Sequence, residues 1–290
     1  MSHRTIHTGI ACRRMSERDL AAAHTLTQAV FWAHRREDWQ FMLDSGAGFV
    51  AEDANEADGA LAGTGLCWKY GAAHGALGMI IVAPDRQGQG IGRELMHRIL
   101  EELGGRCIQL TATPAGQPLY EKLGFVPTGS VVHHQGTLRR MLAVQPAAGE
   151  RIRPATSADL PALSRLSLRA LGMPRDEVLA QLLNVADGVV LEKDGAPLGF
   201  SMIRRFGLGH MIGPVVAQDA ERARALIGHW SADHAGGIVR VDVTGDSGLG
   251  RWLESLGLAV RGPSVRMARG RMPAPDGTLG QYAILNQAMG

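Results

Sequence analysis

Residues 85–93 read Asp85-Arg86-Gln87-Gly88-Gln89-Gly90-Ile91-Gly92-Arg93, with glycine at three alternate positions. Glycine lets a backbone approach a ligand with no side chain in the way. An apolar run, Gly78-Met79-Ile80-Ile81-Val82, precedes the segment and predicts a strand too uniformly apolar to face water on either side. After it, Ile91, Leu95, Ile99 and Leu103 recur every four residues, with Met96 and Leu100 beside them, which predicts one face of a helix. A glycine loop leading from a strand into a helix N-terminus turns successive N–H groups towards an anion, where the helix dipole favours negative charge. The chemistry is phosphate binding, to which Arg93 adds a cation. A Walker loop would end in Gly-Lys-Ser/Thr, and Gly92-Arg93-Glu94 does not. A dinucleotide fingerprint needs Gly-x-Gly-x-x-Gly early in a βαβ unit. Here the spacing is Gly-x-Gly-x-Gly, and the loop follows roughly 80 residues that contain a predicted antiparallel hairpin.

A third reading is the Gln/Arg-x-x-Gly-x-Gly/Ala loop that holds the pyrophosphate of coenzyme A, which Gln87 to Gly92 fits at every position. The bland alternative is a glycine turn that merely caps a helix. A second segment follows at the expected distance: Ala112-Thr113-Pro114-Ala115-Gly116-Gln117-Pro118-Leu119-Tyr120-Glu121-Lys122-Leu123-Gly124-Phe125. The two together resemble the GCN5-related N-acetyltransferase (GNAT) superfamily, through Val82 to Gly92 and Leu119 to Phe125. The resemblance covers residues 8 to 143. The whole chain resembles a tandem bacterial subgroup in which a second, degenerate GNAT-like domain follows with a Gly-Pro-Val-Val segment, here Gly213 to Val216.

The resemblance implies an acetyl-CoA-dependent N-acetyltransferase. It implies that backbone groups of Ile80, Ile81 and Val82 pair with the pantetheine arm. Gln87, Gly88, Gln89, Gly90, Ile91, Gly92 and Arg93 would surround the pyrophosphate. Tyr120 would protonate the leaving thiolate, a task suited to a phenol that is neutral at pH 7. Thr113 falls near the place where many members carry an Asn on the cofactor arm. The resemblance also implies that the early helical region lines the acceptor pocket. Trp32, His34, Asp38 and Trp39 are the candidates there, with His34 and Asp38 sharing a face if that segment is helical. A solvated helix face with two buried tryptophans is the competing reading. No carboxylate stands at an unmistakable position for a general base, and a water relay could replace one.

The elements that position these residues come in duplicate. Arg13 to Leu20 matches Arg153 to Leu160 at a shift of 140, and Gly48 to Glu52 matches Gly188 to Glu192 at the same shift. Asp58-Gly59 matches Asp194-Gly195, and Glu121 to Phe125 matches Glu254 to Leu258. Ser16 and Ser157 are predicted helix caps, and the Asp-Gly pairs predict tight hairpin turns. Cys107 to Leu110 and Val131 to His134 read as strands, and Pro118 to Leu123 as a short helix ended by Gly124. The expected fold is α/β (α+β): two tandem GNAT-like domains, 1–145 and 150–290. Each has a mixed, mainly antiparallel twisted sheet flanked by helices. In the second copy the glycine loop becomes Gln218 to Leu226 without glycine, and Tyr120 becomes Leu253. That copy is expected to bind no coenzyme A. It would shape the acceptor pocket, cover the active site or form a dimer surface.

Composition narrows the function classes. The 290 residues carry 30 Lys+Arg against 28 Asp+Glu, a formal charge of +2, which gives no electrostatic footprint for nucleic acid or an anionic membrane. A small-molecule amine is the expected acceptor, and a non-catalytic acyl-CoA-binding module is the alternative. Cys12, Cys67 and Cys107 are odd in number and far apart, which fits a reducing, cytoplasmic setting without disulfides. None lies in the recognised motifs, so direct attack in a ternary complex is expected. The eleven histidines show no zinc spacing, and Asp53 to Gly59 reads as a hairpin turn rather than a calcium loop. No metal is expected.

Overall fold

Residues 9–53, 60–140 and 144–290 are described in the structure, a computed structural model. The Asp58-Gly59 turn and residues 54–59 of the acidic stretch lie outside the described residues. The chain divides into two compact units, 1–108 with Met289 and 109–288 with Gly290.

The first unit contains β1 (Ile10–Arg14), α1 (Leu20–Ala29), α2 (Arg36–Asp44), β2 (Ala47–Asp53), β3 (Leu61–Tyr70), β4 (His74–Val82) and α3 (Ile91–Leu103). Strands β1 to β4 pair antiparallel in sequence order. Alternation along β3 sends its two faces to different helices. The Trp68 indole donates to the Met42 carbonyl of α2 at 2.9 Å. On the other face, a Cβ at Gly63 would lie 3.0 Å from Leu95 and one at Gly65 2.7 Å from Ile99, so these glycines let α3 lie close. The predicted helix face holds, with Ile91, Leu95, Met96, Ile99 and Leu103 all buried. Strand β4 departs from the expectation of burial on both faces. Ile81 is buried while Ile80 and Val82 are half-buried, and the β3–β4 register shifts beside Met79, whose φ is 55°.

Strand β5 (Cys107–Ala112) crosses the boundary between the units. The second unit contains α4 (Gln117–Lys122), β6 (Val126–Thr137), β7 (Glu150–Pro154), α5 (Leu160–Leu171) and α6 (Asp176–Leu182). It continues with β8 (Asp187–Lys193), β9 (Ala196–Phe206), β10 (Gly209–Ala217), α7 (Ala220–His229), α8 (Ser231–His234) and β11 (Ile238–Thr244). It ends with α9 (Gly250–Ser255), β12 (Ala259–Arg269) and β13 (Gly280–Ala283). Its strands run in the order β12-β6-β11-β13-β10-β9-β8-β7. The antiparallel run β7 to β10 repeats β1 to β4. At the β8–β9 turn Asp194 and Gly195 have φ of 51° and 77°, the left-handed pair such a turn needs.

Strand β6 explains why the compact units do not follow the duplication. It closes the first repeat in sequence, yet it pairs with β11 (Thr137 opposite Ile238) and β12 (Gln135 opposite Ala259). Its backbone bonds are therefore made with the second repeat, and it belongs to the unit that starts at Gln109. The main core of that unit joins Ile203, Ile212, Val241, Leu226, Trp230 and Leu253.

One polar framework recurs in both repeats. Arg13 bonds Asp19 at 2.7 Å and Glu52 at 2.7 Å, and Arg153 bonds Asp159 and Glu192, each at 2.7 Å. The same aspartates accept from the backbone N–H groups of Ser16 and Thr156, each at 2.8 Å, completing capping boxes. The second cap is thus Thr156. Ser157 stands one place inside, as the first residue of the helical turn. The Arg153 guanidinium, helped by Thr156, holds the Asp159 carboxyl down to about 2. A lowered carboxyl contributes stability above its unfolded value near 4, and that contribution fades as pH falls towards 2. Asp159→Asn is expected to lower the Tm at pH 7, with the gap to wild type closing over that window. Thermal unfolding across pH checks this, and parallel curves would remove the pair from the stability account.

Candidate active site

The glycine segment lies in the first unit, between β4 and α3. Its start is pinned: the Ala83 N–H donates to Ala62 O at 2.9 Å, and Arg86 lies 3.2 Å from the Asp53 carboxylate. Gly88 and Gly90 have φ of 78° and 84°, a backbone that an L side chain adopts only with strain. Gly90 is the N-cap of α3 and supplies no side chain to it. The first intrahelical bond is Glu94 N–H to Gly90 O at 3.1 Å. The N–H groups of Ile91, Gly92 and Arg93 therefore have no acceptor within the helix. Bare amides, the dipole of a 13-residue helix and an exposed Arg93 meet at this N-terminus, where an anion is favoured. The Gln87 carboxamide, by contrast, folds back to Val82 O at 3.3 Å.

Thr113 and Tyr120 belong to the second unit. The Thr113 hydroxyl accepts from the Gly116 N–H at 3.2 Å, so it braces the turn that starts α4. Tyr120 is 7% exposed and meets the Phe125 ring edge-on at 6.1 Å. Its hydroxyl has no hydrogen-bond partner among the described residues. Burial pushes the phenol up to about 12, so it stays protonated and can donate throughout the neutral range.

The acceptor-side candidates separate. Helix α2 begins at Arg36, so His34 stands outside it and shares no helix face with Asp38. Asp38 is fully buried, accepting from the Arg35 N–H at 2.9 Å and pairing with its guanidinium at 2.9 Å. Trp39 is fully buried as well, its indole 3.5 Å from Thr27 Oγ1. Both hold the α1–α2 corner together rather than lining a surface. Trp32 and His34 remain together on the connecting loop, half-buried, their rings 6.0 Å apart. The loop also carries Phe31, 95% exposed at φ 59°. Sequence reading passed over it because nothing marked the end of α1: a bulky aromatic holds the place where glycine usually stops a helix.

The second repeat handles the matching places differently. Asp219 caps α7, its carboxylate accepting from the Arg222 N–H at 2.8 Å and pairing with the Arg222 side chain. An acid thus fills the helix N-terminus that the first repeat leaves bare. Leu253, in the place of Tyr120, is core. Strands β10 and β11 pair in parallel over His210–Ile212 and then part. Strand β13 enters the gap, with Ala283 opposite both Val215 and Val243. A side chain at Gly213 would run into the Ile284 carbonyl.

Two acetyltransferase (GNAT) domain models match the chain, over residues 44–127 and 163–283. The chain belongs to the GNAT superfamily, as a tandem member and an acyltransferase whose donor is acetyl-CoA. It is similar to the uncharacterized N-acetyltransferase YitH of Bacillus subtilis, 26% identical over 223 residues, which span 74% of this chain and 76% of that one. A structure from Pyrococcus horikoshii, assigned as an acetyltransferase, shares the fold at a TM-score of 0.79 and 20% identity, covering 100% of this chain and 99% of that chain. A tandem GNAT protein of the clavulanic acid pathway shares it at 0.64 and 15% identity, covering 92% and 99%. Among the described residues no helix is long and apolar enough to cross a membrane.

Acetyl-CoA is expected to raise the Tm by mass action, and NAD to leave it unchanged. Gly90→Glu strains the cap and sets a negative charge at the cradle, so the shift should vanish. A thermal shift retained in that variant would refute anion binding at 88–93.

Proposed function

We propose that the protein moves the acetyl group of acetyl-CoA to the amine of a small molecule by direct attack in a ternary complex. The observation that carries the reading is the unfilled N-terminus of α3 with its left-handed glycine cap. Bound there, acetyl-CoA supplies an acyl carbonyl activated by its thioester. The amides from Gly88 to Arg93 hold the pyrophosphate, and the backbone of Ile80 to Val82 holds the pantetheine arm. Tyr120 gives its proton to the departing thiolate, and Thr113 steadies the turn that carries Tyr120. Trp32 and His34 face the acceptor.

The cysteines support direct transfer. Burial pushes the Cys12 thiol up to about 11 and the Cys67 thiol to about 12, and raises Cys107 too. An acyl-cysteine route needs a thiolate, which these environments disfavour. The second repeat takes no coenzyme A on this reading, because Asp219 and β13 already occupy the corresponding places.

Tyr120→Phe is expected to lower kcat by about 10²-fold or more while leaving acetyl-CoA binding intact. The wild-type rate should rise with pH as the amine loses its proton, with no fall from Tyr120 below about pH 10. Release of free CoA, followed with an amine panel, measures both. Turnover by the Phe variant at the wild-type rate would remove Tyr120 as the acid.

A further inference from the structure

In the first unit, α1 ends on a turn closed by two backbone bonds. The Phe31 N–H donates to Gln28 O at 3.0 Å and the Trp32 N–H to Thr27 O at 2.8 Å, the pair that defines a Schellman stop. Such a stop needs a left-handed residue just beyond the cap Val30, and Phe31 holds that place at φ 59°. Glycine takes this conformation freely, whereas a Cβ is pressed against the following carbonyl. The backbone therefore gains nothing from phenylalanine. Nor does the core: Phe31 is 95% exposed, and no other large apolar side chain is exposed among the described residues of this unit. A single exposed apolar residue is ordinary on its own. One that also strains its turn is explained by a ligand that covers it.

The size of this surface selects the occupant. One aromatic side chain offers on the order of 200 Å², against the roughly 800 Å² that each partner gives to a stable protein interface. Its exposed neighbours Gln28, Ala29 and Ala33 are polar or small and add little apolar area. The flat ring of a small molecule matches it instead, since aromatic pairs gain from stacked or edge-on contact beyond the area they bury. Placement selects which small molecule. Helix α3, whose N-terminus would hold the pyrophosphate, packs on the Gly63 and Gly65 face of β3. The Trp68 face carries α2, and the Trp39 indole of α2, 3.5 Å from Thr27 Oγ1, ties it to the end of α1. Phe31 thus belongs to the face away from the nucleotide helix, on the loop that carries the Trp32 and His34 rings.

We infer that Phe31 is a specificity residue whose ring covers an aromatic group of the acceptor, so the acceptors of this enzyme are amines that carry an aromatic ring. The inference rests on the acetyltransferase reading for the word acceptor, and on the strained turn and its exposed ring for the contact. The two Schellman bonds fix the backbone of Phe31 before a ligand arrives, so little freedom is lost on binding. The ring selects by the apolar area it covers. Its loss therefore falls on binding of the aromatic amine and not on the acyl step.

The test compares 2-phenylethylamine with ethylamine on the full chain saturated with CoA. The aromatic amine is expected to raise the Tm, and ethylamine at the same concentration not to. With acetyl-CoA, the KM for 2-phenylethylamine should be lower by about tenfold or more. Phe31→Gly removes the ring and relieves the turn, so its unliganded Tm should equal or exceed that of the wild type. In that variant the KM advantage should vanish, with kcat and the KM for acetyl-CoA little changed, whereas Phe31→Tyr should keep it. Equal KM values for the two amines in the wild type, or an advantage that survives in Phe31→Gly, would overturn the inference. So would a lower Tm in that variant, which would give the ring to the fold, or a raised KM for acetyl-CoA, which would give it to the nucleotide. Ring-dependent binding without release of free CoA would leave the site standing and sink the acetyltransferase assignment instead.

Discussion

The first N–H groups of an α-helix have no partner within it, and much of this protein follows from how each repeat satisfies them. In the first repeat Gly90 gives α3 a left-handed cap and no side chain, so the amides stay available. In the second, Asp219 supplies its own carboxylate to α7. A helix N-terminus with an acid already in place repels the charge that an empty one attracts. One strand-loop-helix frame therefore leaves a bare helix N-terminus in one copy and a structural cap in the other. The change needs only the exchange of glycines for an aspartate.

The same constraint acts on the strands. Where two parallel neighbours part, their inner backbone groups lose each other and need new partners. In the second repeat β13 supplies them, pairing with β10 through Ala283 and Val215 and with β11 through Ala283 and Val243. The Ile284 N–H adds a bond to Asp242 O at 2.9 Å. A segment of the chain's own backbone thus does there what the proposed reading assigns to the cofactor arm at Ile80 to Val82.

The local signals were legible because they depend on a few residue types. The glycine loop, the spacing of Ile91 to Leu103 and the stop at Gly124 are each set within a turn or two, and the structure carries all three. The duplication was legible too, but not its consequence for β6. Strand pairing depends on partners more than 100 residues away, and Val126 to Thr137 carries no mark of which edge it will join. Asp38 misled for a related reason. A carboxylate four residues from a histidine suggests a shared face, whereas the Arg35 backbone claims that carboxylate to start α2. Phe31 looked like an ordinary aromatic at a helix end, and only its left-handed φ and its exposure set it apart.

What the repeats share and what they do not share separates folding from chemistry. The Arg-Asp-Glu framework stands in both, at 13, 19 and 52 and again at 153, 159 and 192, with the same 2.7 Å contacts. Each copy needs it, because each must tie its first strand to the turn before its first helix. The phenol and the glycine cap stand in one copy only, where the proposed transfer would need its one cradle and its one acid. Leu253, at the place of Tyr120, shows what relaxing that requirement permits: a position that would hold an unpaired hydroxyl becomes plain core. On the proposed reading Tyr120 is kept in the first repeat for its proton, whereas Leu253 only fills the core of the second.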